Sequence, residues 1–391
     1  MAFFAVFPLL PAVCGARAQE LPVITITAAQ LSEQFVKEGE VAVEDPGGSH
    51  FFSPITVKYR GTYSASFTLK RNYSFHLKNA DGSQRKESLL GLRRDDDYAL
   101  LSGYSDASRL RILVGLDLFR DTVGPAPKGA LCEVYFGPYY KGIYTLTERP
   151  DRKSAGVSKD GALYRVLAQS VDGANVLSGA GVAPPDGNTW YNVEKVYAAQ
   201  GLSWQPLIAL QNFLRTADDA AFAQGMDDYL DVEAFADYYL FVNLTGASDN
   251  MEKNLYLCWQ DGRFSLMAWD LDAAFGRLYN AEPSDESALY SSALFDRLLA
   301  TPAFSTLLRE RYAALRADFL PDAVCARFER YADILEESGA LSREAERFST
   351  YTDFATGKTH RLDVRGEIEF IRNFVQKRVN LLDEVLLYRV Q

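Results

Sequence analysis

The feature that most constrains this chain is a change of hydrophobic period partway along it. Up to about residue 147 apolar residues mostly alternate, as in strands; beyond about Trp204 they recur at helical spacing. Strands are predicted over Pro22–Thr27, over Ile55–Arg60, which Gly61 ends, and over Tyr73–Leu77, which the Asp81-Gly82 turn follows. One helical stretch interrupts them at Ser105–Asp121. There Leu110, Leu113, Val114, Leu116 and Leu118 give an apolar face, with Ser105 or Asp106 as N-cap. Strands resume at Ala130–Phe136 and Gly142–Thr147, for a β-β-β-α-β-β order. The later region predicts helices over Pro206–Arg215, Val232–Leu244, Ala293–Leu299, Phe304–Phe319, Ala323–Ser338 and Val364–Tyr388. A hairpin of Asn254–Trp259 and Phe264–Trp269, turned at Asp261-Gly262, breaks that series. Val171–Asn192, rich in Gly, Ala, Pro and Asp, reads as a mobile connection or lid. The expected class is α+β: a small mixed β-sheet lobe with one helix over 19–150, and a larger, mainly helical lobe over 151–391. A cleft between two unlike lobes is a natural nucleotide site.

Composition bounds the chemistry. A chain of 391 residues that is 48% hydrophobic and 24% charged is neither disordered, collagenous nor coiled coil. Its net charge of −11 argues against non-specific nucleic-acid binding, which gains from releasing counterions. That charge does not exclude a nucleotide whose phosphates arrive neutralised by a divalent metal. The three histidines, His50, His76 and His360, are scattered, and neither HExxH nor GxSxG occurs. Carboxylates, amides and lysines are left to carry any reaction. Residues 2–13 form an apolar run too short to span a bilayer, followed by Ala16-Arg17-Ala18. This predicts a signal peptide over 1–18, cleaved after Ala18, and a secreted or periplasmic, cell-envelope protein. No later apolar run approaches transmembrane length, so no transmembrane segment is expected. The remaining cysteines, Cys132, Cys258 and Cys325, are odd in number and read best as small buried hydrophobes, although one disulfide stays open.

The residues that point to a reaction are Asp249-Asn-Met-Glu-Lys-Asn254, the hairpin, and Trp269-Asp-Leu-Asp272. A carboxylate, an amide five residues on and a carboxylate after a hairpin form a phosphoryl-transfer grouping. The first Asp accepts the acceptor hydroxyl's proton; the Asn and the later Asp hold metal ions that bridge phosphates. Hard divalent cations favour such oxygen donors. A short loop aims Asp249 outward and curls Asn254 back, and the hairpin returns Asp270 beside it. Asp270 and Asp272 share a face if the strand continues. Either motif alone also arises in turns and helix caps, so context decides. Asp95-Asp96-Asp97, next to Arg93-Arg94, reads as a solvated turn.

The run DNMEKNLYLCWQDGRFSLMAWDLDAAFG resembles the signature of the CotH (spore-coat protein H) kinase family, an atypical branch with a protein-kinase-like fold. Three upstream segments agree in order: YRGTYSASFTLKRNYSFHL, LLGLRRDDDYALLSGYSDASRLR and EVYFGPYYKGIYTLTERPDR. The resemblance implies Asp249 as catalytic base, Asn254 and Asp270 as metal ligands, and Asp272 as a second carboxylate. It implies Lys70 on the nucleotide phosphates, with Lys78 as a competitor, and the Arg60-Gly61 turn facing phosphate through its N–H groups. Arg111 and Glu148 match charged family positions, Glu148 where a hinge would meet the nucleoside; structural ion pairing is the alternative for both. The family's Arg-Gly-Asn-Ser reads Arg60-Gly-Thr-Tyr-Ser64 here, and a helix position often held by Glu is Asp117, a shorter arm toward a lysine. The implied activity is an exported ATP-dependent kinase that uses Mg2+ or Mn2+ and a protein substrate with a Ser or Thr acceptor. The alternatives are a non-catalytic envelope, coat or adhesion protein that keeps the fold, and transfer of another group such as AMP.

Overall fold

The computed structural model describes residues 20–29, 31, 37–61, 68–167, 176–179 and 183–388. The expected signal peptide, and positions 171–175 and 180–182 of the expected lid, lie outside these residues.

The first region builds β1 (Val23–Ala28), β2 (Lys37–Glu44), β3 (His50–Arg60), β4 (Asn72–Leu77), β5 (Asp97–Leu101), α1 (Arg111–Thr122), β6 (Gly129–Phe136) and β7 (Tyr139–Glu148). Its strands run in the order β1-β2-β3-β4-β5-β7-β6 and the sheet closes, β6 lying parallel to β1. Alternation explains the interior: Ile24 and Ile26, Val41 and Val43, Ile55 and Val57, and Tyr73, Phe75 and Leu77 all point into one apolar cluster. β2 and β5 were not expected. β2 offers only Val41 and Val43 to the core between charged neighbours, and β5 follows directly on an aspartate run.

Helix α1 begins at Arg111, later than expected. Residues 105–110 form a turn in which the Asp106 carboxylate accepts from the Ser108 N–H at 2.9 Å and the Arg111 N–H at 2.8 Å. The N-cap is therefore Leu110, with no side-chain cap, and not Ser105 or Asp106; the Asp106 carboxylate instead takes up the Arg111 N–H, one of the open donors of the first turn.

The second region adds β8 (Ala162–Val166), β9 (Thr189–Trp190), β10 (Val193–Ala198), α2 (Gln205–Thr216), α3 (Asp219–Tyr229), α4 (Val232–Thr245), β11 (Leu255–Gln260) and β12 (Arg263–Ala268). The expected hairpin β11–β12 is not isolated. β8 pairs with β11, giving a sheet ordered β12-β11-β8-β10-β9. The chain continues through α5 (Ala293–Leu299), α6 (Pro302–Leu315), α7 (Pro321–Glu337), α8 (Ala340–Phe348), β13 (Thr350–Thr352), β14 (Thr359–Arg361) and α9 (Val364–Leu382). The α+β class expected from the period change is the class observed.

α4 is buried all round from Phe235 onward and largely apolar there, so it sits inside the second core, packed against α6, α9 and β12. Asp231 caps it by accepting from the Ala234 N–H at 3.1 Å, and Gly246 ends it with φ at 68°. That left-handed glycine turns the chain straight into Ala247-Ser248-Asp249. Among the described residues no helix is long and apolar enough to cross a membrane.

The three described cysteines are free and buried, as expected; burial pushes the Cys258 thiol up to about 12 and the Cys325 thiol to about 11. The aspartate run departs from its expectation. Asp95 and Asp96 are 8% and 4% exposed, not solvated. Arg93 reaches Asp95 at 3.1 Å and Gln84 donates to Asp96 at 2.6 Å, so side chains from neighbouring turns replace water.

Candidate active site

A cleft of about 370 Å³ opens where β3, the start of β4 and the turn after β5 meet the hairpin β11–β12. Arg60, Gly61, Asp249, Lys253, Asn254, Asp270 and Asp272 line it, with Asn72, Ser102, Tyr104, Leu167 and Tyr279. Six of the residues singled out from sequence thus share one cavity.

Local backbone chemistry aims them. Asp249 lies on a single 3-10 turn, Ser248–Met251, directly after the Gly246 break. Asn254 and Asp270 both take left-handed backbone, φ 54° and 62°. Asn and Asp tolerate this region better than other residues with a Cβ. The two residues flank the open end of the hairpin. The Trp269 N–H donates to the Asn254 carbonyl at 2.9 Å, and Leu255 pairs with Ala268. Asn250, 1% exposed, clamps the junction: its Nδ2 donates to the carbonyls of Asn254 and Trp269, each at 2.9 Å. Beyond Asp272, Phe275 and Gly276 also have positive φ, 51° and 88°. Such strain persists only where surrounding contacts enforce it.

The electrostatics are those of a crowded anionic site. Burial first, then the charges of Asp270 and Asp249, push the Asp272 carboxyl well above its usual value. Arg60 stands over the Trp269 ring at 5.3 Å; burial lowers its pKa and Asp270 opposes that pull. It stays charged. Lys253 Nζ lies 2.9 Å from Asp249 Oδ2. Among the described residues no three His, Cys, Asp or Glu side chains form a metal-holding group. The hard-oxygen set here is two carboxylates and an amide, Asp270, Asp272 and Asn254. It fits a magnesium-like ion that keeps open positions for phosphate oxygens, and a divalent cation would relieve the crowding of carboxylates.

Four expected residues lie elsewhere. Lys70 is 1% exposed and does not line the cleft. Its ammonium donates to Glu344 at 2.7 Å and to the carbonyls of Ile143 at 2.6 Å and Ser102 at 3.2 Å. Its three donors are used, so direct contact with phosphate is replaced by support of the Ser102 wall. Its carboxylate partner is Glu344 on α8, while Asp117 binds Arg120 and Tyr331. Lys78 follows the far end of β4 from Asn72, about 16 Å or more along the strand, beside Gln84. Arg111 is 0% exposed and structural. It binds Asp106, Glu367 at 2.5 Å, and the carbonyls of Ala274 at 2.8 Å and Phe275 at 3.3 Å. Burial depresses it, but Asp106 and Glu367 outweigh that and raise it. Glu148 is 4% exposed, accepts from the N–H groups of Arg93 at 2.9 Å and Lys128 at 3.3 Å, and does not line the cleft. Sequence reasoning missed Lys253 and Asn250. Both lie inside the Asp249–Asn254 run, and their i,i+4 spacings to Asp249 and Asn254 were the available signal.

The structure is similar to a chain of the Shewanella oneidensis MR-1 toxin–antitoxin complex of HipA, HipB and its operator DNA. The TM-score is 0.30 at 11% identity, over 83% of this chain and 66% of that one. In sequence the chain is 21% identical to the inner spore coat protein H of Bacillus subtilis (strain 168) over 314 residues, 76% of this chain and 82% of the relative. Residues 57–382, which include every cleft residue named above, match the CotH kinase protein family. The chain belongs to the CotH kinase protein family.

Proposed function

We propose that this chain is an exported, metal-dependent kinase of two-lobed, protein-kinase-like architecture that transfers the γ-phosphoryl group of ATP to a Ser or Thr hydroxyl of a protein. The observation that carries this is the convergence of Asp249, Asn254, Asp270 and Asp272 on one cleft with two cations, Arg60 and Lys253. Family membership supports the same reading.

In this mechanism Asp249 accepts the proton of the acceptor hydroxyl. The acceptor oxygen bonds to the γ-phosphorus, the bond to the bridging oxygen breaks, and ADP leaves with that electron pair. Asn254, Asp270 and Asp272 would hold Mg2+ or Mn2+, which would supply positive charge for the phosphate oxygens. Arg60, fixed on Trp269, adds a positive charge beside Asp270, and the Arg60-Gly61 turn offers backbone N–H groups. Lys70 acts through the Ser102 and Ile143 carbonyls.

Transfer of label from γ-labelled ATP, dependent on metal, is the test. D249A and D270A are expected to lower kcat by about 10²-fold or more. Full activity in both would overturn the mechanism. The product mass separates phosphate from AMP transfer. The spore-coat name of the relative favours a second reading, a coat or adhesion protein that uses the cleft only to bind. A folded chain with no ATP-induced thermal shift under either metal would select it.

A further inference from the structure

Lys253 is the one lysine among the described residues that line the cleft. It sits one residue before Asn254 and four after Asp249, whose Oδ2 it meets at 2.9 Å. A surface i,i+4 pair would be incidental. This one is not on the open surface: the two side chains are 29% and 23% exposed and face the cavity that holds Asp270 and Asp272. An ammonium has three donors on a flexible stem, and Asp249 uses one. Arg60, the other cleft cation, is held on Trp269 at the opposite side of the hairpin opening, next to Asp270. Lys253 is therefore the cleft cation paired with Asp249.

We infer that Lys253 is a catalytic residue of this site: it holds the Asp249 carboxylate in place before nucleotide arrives, then donates to the terminal phosphate oxygens of ATP. This rests on the nucleotide reading above. With the terminal phosphate present, Lys253 shares its donors, and Asp249 becomes free to accept the acceptor proton. The acceptor proton goes to Asp249 and the electron pair leaves with ADP. The pairing thus ties activation of the base to occupancy by a triphosphate, which disfavours attack before ATP is seated.

The test compares the full chain with K253Q and K253R by titration calorimetry with ATP–Mg2+, ADP–Mg2+ and adenosine, alongside steady-state transfer. For K253Q the expected result is an ATP affinity about tenfold weaker, as for loss of one charge-assisted hydrogen bond, with adenosine affinity unchanged and ADP affected least of the two nucleotides. Its kcat falls as well as its KM rising, and K253R recovers most of both. Two results would overturn the inference while D249N stays inactive: K253Q matching the parent chain in ATP affinity and kcat, or K253Q losing ATP and adenosine equally, which is the mark of a collapsed site. A parent chain that binds none of the three ligands would instead overturn the nucleotide reading, and this inference with it.

Discussion

At the scale of single residues, the site depends on groups that never touch a substrate. Asn250 joins the two carbonyls that flank the hairpin opening, so N250A takes this donor from the Trp269 carbonyl and leaves the Asn254 carbonyl with the Trp269 N–H alone. A loss of about 1–3 kcal/mol is expected in urea unfolding, with transfer activity falling further than stability alone explains. Arg111 gives a contrasting case. R111M leaves Asp106 and Glu367 buried without their cation and should cost about 3–5 kcal/mol. A variant with unchanged unfolding midpoint but weakened ATP binding would return Arg111 to the nucleotide. The acidic residues of the cleft were legible in sequence because they fall within 24 positions of one another, Asp249 to Asp272. Lys70 and Arg111 were legible as charges but not as partners. Glu344 lies 274 positions from Lys70 and Glu367 256 positions from Arg111, beyond any local spacing rule.

Among the elements, α1 is the platform for the Asp270–Asp272 turn. Gly115 faces Leu271, the residue between Asp270 and Asp272, and a Cβ at Gly115 would stand 3.0 Å from the Leu271 Cβ and Cδ1. One turn earlier, Arg111 holds the Ala274 and Phe275 carbonyls of the same segment. The helix thus sets the height of the Asp270–Asp272 turn over the cleft. G115V would push Leu271 outward; overpacking of this kind costs about 1–3 kcal/mol. The expected outcome is a weaker response of the rate to Mg2+, read as a raised half-saturating metal concentration in a chain still folded by circular dichroism. An unchanged metal requirement would show that the turn tolerates the displacement. The apolar face of α1 was plain in the sequence; its start was not, because the N-cap is the apolar Leu110 and Asp106 reaches the Arg111 N–H from five residues before it. The hairpin was also plain, being local. Its partner β8 was not, because β8 ends at Val166 and β11 begins at Leu255. Periodicity identifies strands but does not pair distant ones.

Over the whole molecule, a buried charge knot ties the closed sheet to the C-terminal helices. Glu344 of α8 accepts from Lys70 at 2.7 Å, from Arg109 at 2.8 Å and, with its other oxygen, from the Ile143 N–H of β7 at 2.8 Å. Burial alone would raise the Glu344 carboxyl, but Lys70 and Arg109 outweigh it and hold it below its usual value. Two cations share that single carboxylate. Lys70 is the one that yields: burial, countered by Glu344 and reinforced by Arg109, brings it down to about 7. Both shifts set pH dependence through proton uptake on unfolding. Below its ordinary value of 4.5 Glu344 is protonated in the unfolded chain but still ionised in the folded one. Stability from the knot is therefore complete above that value and lost as pH falls through the folded pKa. Between about 7 and 10.5 the unfolded chain binds a proton at Lys70 that the folded chain has released, so stability rises with pH there. Guanidinium midpoints measured from pH 3 to 10 should fall on the acid side and climb on the alkaline side. K70M removes the alkaline climb and keeps the acid fall, since Arg109 still pairs with Glu344. E344Q flattens the acid fall and lowers the midpoint at pH 7, because Lys70 and Arg109 lose the carboxylate they share. An acid limb of equal steepness in E344Q would mean that other carboxylates govern it, the depressed Asp106 and Glu367 first among them.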